Sequence, residues 1–306
     1  MHIVAAASSL YLKNLRALMT SCGIWYPRAD FTARLINVSS QDTQEIKEEY
    51  PAVNFISVTY DDDTTRKHLC ANGALFQDKL LGVYDEKRTD FKGARWLYSD
   101  FMARSTNDRY QIVIDLLEQG AECVLSIDAD TIIRGDLTEL KTNILQHDIA
   151  LHGEIVKDGK AIDFGNTILY NEIPIFNRDQ YKQKEYIPNN PQYVEWHTGV
   201  AGFNNTPTSL EFVKEYCELL SKPENIHKWG AEEEEIYFLY LKYHERLKVY
   251  NIPIKFKDEG YGTQRRVGTD QYNPDSCIWV GAGQNKYNCT KFSKEVDMYS
   301  SFNRPD

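Results

Sequence analysis

Apolar residues recur along the N-terminal part of the chain in two alternating periods. Residues 3–7 (IVAAA) read as a first strand, and from about Leu10 to Cys22 the apolar positions 12, 15, 18 and 19 fall at helical spacing. FTARLINV, 31–38, alternates and carries enough β-branched character for a second strand. Ser39 and Ser40 then offer helix caps ahead of QDTQEIKEEY, and VNFISV, 53–58, reads as a third strand. This β-α-β-α-β order predicts an α/β fold, a Rossmann-like, mostly parallel sheet with helices on both faces.

Helical spacing returns over 85–104 and again over 108–119, with Gly120 where a C-terminal cap is expected. The apolar run CVLSI follows and ends at Asp128. After Asp136 a short helix and a strand over 148–152 continue the alternation. The charged, Tyr-rich segment 154–192 has weaker periodicity and reads as an antiparallel excursion or a loop over the site. WHTGVAGFN, 196–204, reads as a strand, TSLEFVKEYCELL as an amphipathic helix begun by Thr206-Pro207, and a further helix follows Trp229. The tail from Gly260, with glycines at 260, 262, 268, 281 and 283 and no helical period, predicts an ordered loop. With neither internal repeat nor low-complexity segment, the expectation is one domain over 1–306, in two halves at 1–135 and 136–306.

Composition narrows the function classes. A net charge of −10, with no basic run longer than Arg265-Arg266, lacks the footprint of a nucleic-acid binder. Six cysteines without CxxC spacing fit free thiols in a reducing compartment better than a disulfide framework or structural zinc. The N-terminus lacks a basic region followed by a long apolar one, and no 18-residue apolar stretch occurs, so a soluble cytoplasmic protein is expected. The 20 tyrosines among 12% aromatic residues are compatible with a groove for sugars or bases, or with ordinary core packing.

The chemistry concentrates in VLSIDADTIIRGDL, 124–137. Asp128 and Asp130 follow a helix, a glycine turn and a buried strand, at the strand end where open α/β sheets bind ligands. In an extended strand residues i and i+2 share a face, so the two carboxylates could point together. Paired hard oxygens suit Mg²⁺ or Mn²⁺, which fill their other positions with water and substrate phosphates; a helix cap is the alternative reading. A haloacid-dehalogenase-like phosphohydrolase also ends a strand in DxD, but its DxDxT/V signature fails at Ile132. A nucleotide-sugar pyrophosphorylase would need a glycine-rich loop that AAASSLYLKN lacks.

RYQIVIDLLEQGAECVLSIDADTIIRGDLTEL, 109–140, resembles the central segment of GT-A-fold glycosyltransferases, most nearly the glycogenin-like glycosyltransferase family 8. The resemblance implies a metal-dependent transfer of sugar from a nucleotide diphosphate donor, UDP by family precedent, to a carbohydrate or other hydroxyl acceptor. Asp128 and Asp130 would be the metal ligands. IVAAASSLY is similar to the family's nucleotide-binding start and implies that Ala5, Ala6, Ser8 and Tyr11 lie near base and ribose, although Tyr11 could equally be a core aromatic. Arg109 stands where the family has a basic residue near the sugar or diphosphate; its other reading is a solvated helix-start arginine. WHTGVAGFN resembles an NAG-containing strand, with His197 in the Asn position and Thr198 and Gly199 near the transferred sugar. The family's closing His-x-x-Gly-x-x-Lys is matched at Gly283 and Lys286, but Val280 takes the place of the metal-binding His.

WGAEEEE, 229–235, permits two readings. Four acids at a helix start can be a solvated face favoured by the helix dipole. The stretch also resembles the WGxED signature of inverting GT-A transferases, which implies Glu233 as general base on the acceptor hydroxyl and Glu232 as an acceptor contact. Family 8 retains anomeric configuration whereas WGxED enzymes invert it, and the expectation leans to inversion. A non-catalytic sugar-binding relative is the remaining alternative.

Overall fold

The computed structural model describes residues 1–60, 75–76, 96–97, 107, 109–157, 160–163, 192–222, 225, 231–258, 273–281 and 290–302. Strand β1 (His2–Ser8) leads through a short 3₁₀ turn into helix α1 (Leu12–Trp25). Strand β2 (Asp30–Ile36), helix α2 (Ser40–Glu49) and strand β3 (Asn54–Val58) follow. The expected cap is present, because the Ser39 hydroxyl accepts from the Asp42 amide at 3.0 Å. Two short strands, β4 (Leu75–Phe76) and β5 (Trp96–Leu97), pair in parallel. This corrects the helical expectation at Trp96 and Leu97, where pairing with a partner strand overrides local spacing; the rest of 85–104 lies outside the described residues.

Helix α3 (Arg109–Glu118) is closed by Gly120 at φ +93°, a left-handed position that favours glycine, with the Ala121 amide returning to the Leu116 carbonyl at 2.9 Å. Strand β6 (Cys123–Ile127), strand β7 (Thr131–Ile133) and helix α4 (Thr138–Leu145) come next. Strand β8 (Ile149–Lys157) turns back antiparallel through β9 (Lys160–Asp163), so the start of the expected excursion is a hairpin. Strand β10 (Gln192–Asn204) leads to helix α5 (Pro207–Leu220), capped as expected by the Thr206 hydroxyl on the Ser209 amide at 3.1 Å. Helix α6 (Ala231–Tyr243) and strands β11 (Val249–Asn251) and β12 (Lys257–Asp258) follow. The chain then forms strand β13 (Ile278–Val280) and helix α7 (Thr290–Ser300).

The main sheet runs β11-β8-β10-β6-β1-β2-β3 with β9 beside β8, and draws strands from both halves of the sequence. Strands β6, β1, β2 and β3 are mutually parallel, whereas β10 runs antiparallel to both its neighbours. Alternation along the strands separates two cores. Ile3, Ala5 and Leu125 join Leu15, Leu18 and Ile46 on one face; Val4 and Val124 join Tyr110, Phe212 and Tyr237 on the other. Each fully buried aliphatic or Phe side chain contributes about 1.5–3 kcal/mol, so both faces must be covered for the sheet to persist.

A second sheet, β12-β13-β7, corrects the expected tail loop. Ile132, Trp279, Phe292, Val296, Tyr299 and Ala17 of α1 bury one another, which stabilises β13 and α7 despite the neighbouring glycines. Arg134 stacks on the Trp279 ring 3.6 Å from its centre and bonds Glu295 at 3.0 Å, tying β7 to α7.

Candidate active site

The two aspartates occupy a bend between β6 and β7. The bend lies at the C-terminal end of β6, as the sequence predicts, and the chain then leaves the main sheet as β7 pairs with β13, Val280 lying opposite Thr131. Both ends of the bend are fixed by backbone bonds. The Asp128 amide donates to the Gly199 carbonyl at 2.8 Å, and the Gly281 amide to the Asp130 carbonyl at 2.7 Å. Asp130 is buried, while about a third of the Asp128 side chain stays exposed.

Gly199 belongs to a bulge in β10, whose register against β8 shifts between His197 and Ala201. Bulges aim backbone away from the ladder, and this one brings Thr198 and Gly199 to the end of β6. A Cβ on Gly199 would lie 3.0 Å from Asp128 Oδ2 and 3.3 Å from Val280 Cγ1, so glycine keeps the carboxylate in place. The same crowding puts Val280 near Asp128, at the position where the resembled pattern carries a histidine.

Arg109 is buried rather than solvated. Its Nη1 donates to Asp128 Oδ1, and its Nη2 reaches the Thr198 carbonyl at 2.9 Å and the Tyr110 hydroxyl at 3.2 Å. Burial works against the guanidinium charge, but the adjacent Asp128 outweighs it and the Arg109 pKa is raised. Its Nε finds no partner among the described residues. A solvated helix-start arginine is therefore excluded.

At the same sheet edge, Ala6 packs with Ile36, Val58 and Tyr60, and the buried Ser8 hydroxyl has no partner among the described residues. Ala5 is wholly buried on the α1 side, and Tyr11 is partly buried against that core. Asn37, at φ 52°, clasps Tyr60 by donating to its carbonyl at 3.0 Å and accepting its amide at 2.7 Å. The sequence reading missed this clasp, although Asn at a strand end is a left-handed signal.

The acidic helix is not a solvated face. Glu232, Glu234 and Glu235 are buried and Glu233 is half-buried; Glu235 accepts from Asn225 at 2.9 Å. Trp229, Gly230, Gly283 and Lys286 lie outside the described residues. The start of α6 meets the arginine region through Tyr216, whose hydroxyl donates to the Glu232 carbonyl at 2.9 Å and whose ring stands edge-on to Tyr110. Nothing in the sequence singled out either tyrosine, since both sit at ordinary core positions of amphipathic helices.

This architecture is the GT-A glycosyltransferase fold. The chain is similar to the galactosyltransferase LgtC in complex with donor and acceptor sugar analogues, at a TM-score of 0.52 and 14% identity over 97% of this chain and 96% of that one. It is also similar to the glycosyltransferase GlyE of Streptococcus pneumoniae TIGR4, at a TM-score of 0.52 and 13% identity, covering 98% of this chain and 60% of GlyE. An active-site mutant of LgtC gives a TM-score of 0.51 at 15% identity, over 97% and 96% of the two chains. No protein-family model matches the sequence, and no curated protein matches it. At these identities the likeness defines the fold. Among the described residues no helix is long and apolar enough to cross a membrane.

Proposed function

We propose that the chain is an enzyme transferring a sugar from a nucleotide diphosphate sugar, UDP-linked, to a hydroxyl acceptor, in the cytoplasm as its cysteine usage suggests. The observation that carries this reading is Asp128 held by buried Arg109 and cradled by Gly199, at the ligand-binding edge of a glycosyltransferase fold. Among the described residues no group of three His, Cys, Asp or Glu could hold a metal. The two aspartates still fit a hard ion, because Mg²⁺-type sites commonly need only one or two carboxylates, with water and phosphates supplying the rest. The Gly199 cradle also keeps a side chain from crowding Asp128 Oδ2 on that side. Asp128 and Asp130 would hold Mn²⁺ or Mg²⁺, which when bound supplies positive charge to the departing diphosphate.

The protein's own part is then orientation and proton removal. Arg109 fixes the rotamer of Asp128 and adds a buried positive charge on the donor side. Thr198 and Gly199 wall the sugar, while Ala6, Ser8 and Tyr11 border the nucleotide, with Gly283 and Lys286 assigned to the diphosphate. Glu233, half-buried in the first turn of α6, takes the acceptor proton as the oxygen attacks, with Glu232 beside it. A carboxylate in that role favours inversion at the anomeric carbon.

A panel of nucleotide sugars, assayed for donor hydrolysis and transfer with and without Mn²⁺, tests the reading. Asp130→Ala is expected to abolish metal-dependent nucleotide binding, and Glu233→Ala to spare binding but lose transfer. Nucleotide and Mn²⁺ binding with no turnover of any donor would instead establish a non-catalytic relative.

A further inference from the structure

The short strands β7 and β13 carry the aspartate bend, yet their apolar pattern fixes their register only weakly. Ile132 and Trp279 are buried in one core and Ile133, Ile278 and Val280 in another, so both faces of the pair are apolar. Register is strongly specified where the two faces of a strand pair differ, and here they do not. A slip of two residues, roughly 7 Å, would return every side chain to its own face. It would nevertheless take Gly281 off Asp130, whose carbonyl accepts the Gly281 amide at 2.7 Å. Glycine is required opposite Asp130, because a Cβ at 281 would lie 2.9 Å from the Asp130 carbonyl oxygen and 3.0 Å from the Phe292 ring. The site therefore tolerates one register.

Arg134, at the other end of β7 from Asp130, supplies what the apolar pattern lacks. Its amide donates to the Cys277 carbonyl at 2.7 Å, closing the ladder at the end away from Gly281. Its guanidinium lies 3.6 Å from the centre of the Trp279 ring, while Nε donates to Glu295 Oε2 at 3.0 Å and Nη1 to the Pro274 carbonyl at 3.0 Å. One side chain thus engages β13, the turn before it and α7. A planar guanidinium can stack on a ring and donate within its own plane at once, which neither lysine nor an apolar residue can do. A two-residue slip would carry it the same roughly 7 Å relative to all three partners, so the stack and both bonds select the observed register together.

We propose that Arg134 is a positioning residue that locks β7 against β13, and so holds Gly281 on Asp130 and Val280 beside Asp128 in the arrangement that binds metal and nucleotide. This inference rests on the reading of the two aspartates as the metal site. Arg134 acts through the strand pair, and its loss reaches the site as a displacement of Asp130.

Arg134→Met and Glu295→Gln in the full chain test the lock, the second removing only the charge that faces Arg134 from α7. In Arg134→Met, amide exchange at Gly281, at the far end of the ladder from the lost side chain, is expected to quicken about tenfold, with the Ala5 and Leu125 amides of the main sheet unchanged. Calorimetric titration with UDP is expected to show Mn²⁺-dependent affinity lowered about tenfold, while affinity in EDTA stays within about twofold of the parent. Glu295→Gln should move both readouts the same way by about threefold, and it carries the comparison if Arg134→Met does not fold. Unchanged exchange at Gly281 in both variants, or unchanged Mn²⁺-dependent affinity where that exchange has quickened, would overturn the positioning role. Equal losses of UDP affinity with and without Mn²⁺, together with faster exchange across the main sheet, would reduce Arg134 to a stabiliser of the fold. A parent protein whose UDP binding ignores Mn²⁺ would sink the metal-site reading and the functional half of this proposal, while exchange at Gly281 would still decide whether Arg134 sets the register.

Discussion

The two acidic stretches, one at Asp128 and Asp130 and the other at the start of α6, look alike as clustered carboxylates in the sequence but are held by different forces. Asp128 is paired with a buried arginine and pinned through its backbone to the β10 bulge, yet part of its carboxylate faces solvent. The glutamates start a helix whose dipole favours negative charge, and Glu232, Glu234 and Glu235 are buried. The first arrangement fixes a charge in place, as the proposed donor site requires. The second leaves one acid, Glu233, half-buried among three buried ones, which suits the proton-accepting role proposed for it.

That contrast is broken most severely at Asp128. In Asp128→Asn the buried Arg109 loses its counter-charge. Removing one partner of a buried pair costs about 3–5 kcal/mol, and the exposure of Asp128 reduces this to about 2–3 kcal/mol. Urea denaturation should show that loss, together with lost nucleotide binding. Stability within about 0.5 kcal/mol of the parent would mean that Arg109 does not depend on the aspartate.

Gly199→Ala probes the same carboxylate more gently. The added methyl would crowd Asp128 Oδ2 and Val280 at 3.0 and 3.3 Å, so overpacking of about 1–2 kcal/mol is expected. Because the nearest atom belongs to the carboxylate, Asp128 must turn and Mn²⁺-dependent nucleotide affinity should fall. Unchanged affinity, measured by calorimetry, would remove Gly199 from the site.

The legible part of this molecule is the part governed by local pattern. Strands β1, β2, β3 and β6, the Ser39 and Thr206 caps and the Gly120 turn follow from periodicity and capping chemistry, and they place the aspartates at the correct sheet edge. The tail was opaque because β13 is very short and is stabilised by pairing with β7, far earlier in the chain, a non-local contact that no window of neighbouring residues contains. Arg109 could be read as site or surface until the fold buried it against Asp128. Tyr110 and Tyr216 carried no signal, since both sit at ordinary core positions and the Tyr216 hydroxyl finds its partner, the Glu232 carbonyl, on another helix.

The smallest expected change in stability, and the one that separates the two stretches most sharply, is at Glu233. It is half-buried, so solvent screens its charge as it cannot screen the buried Arg109. Glu233→Gln keeps the shape and most hydrogen-bonding capacity, and should alter unfolding free energy by no more than about 0.5 kcal/mol. If Glu233 is the base, transfer should nevertheless fall by about 10²–10⁴-fold, because an amide cannot accept the acceptor's proton at neutral pH. Donor KM should stay near the parent value, which places the loss in the chemical step. Full transfer by this variant would move the base elsewhere and leave the acidic run as helix-start electrostatics alone.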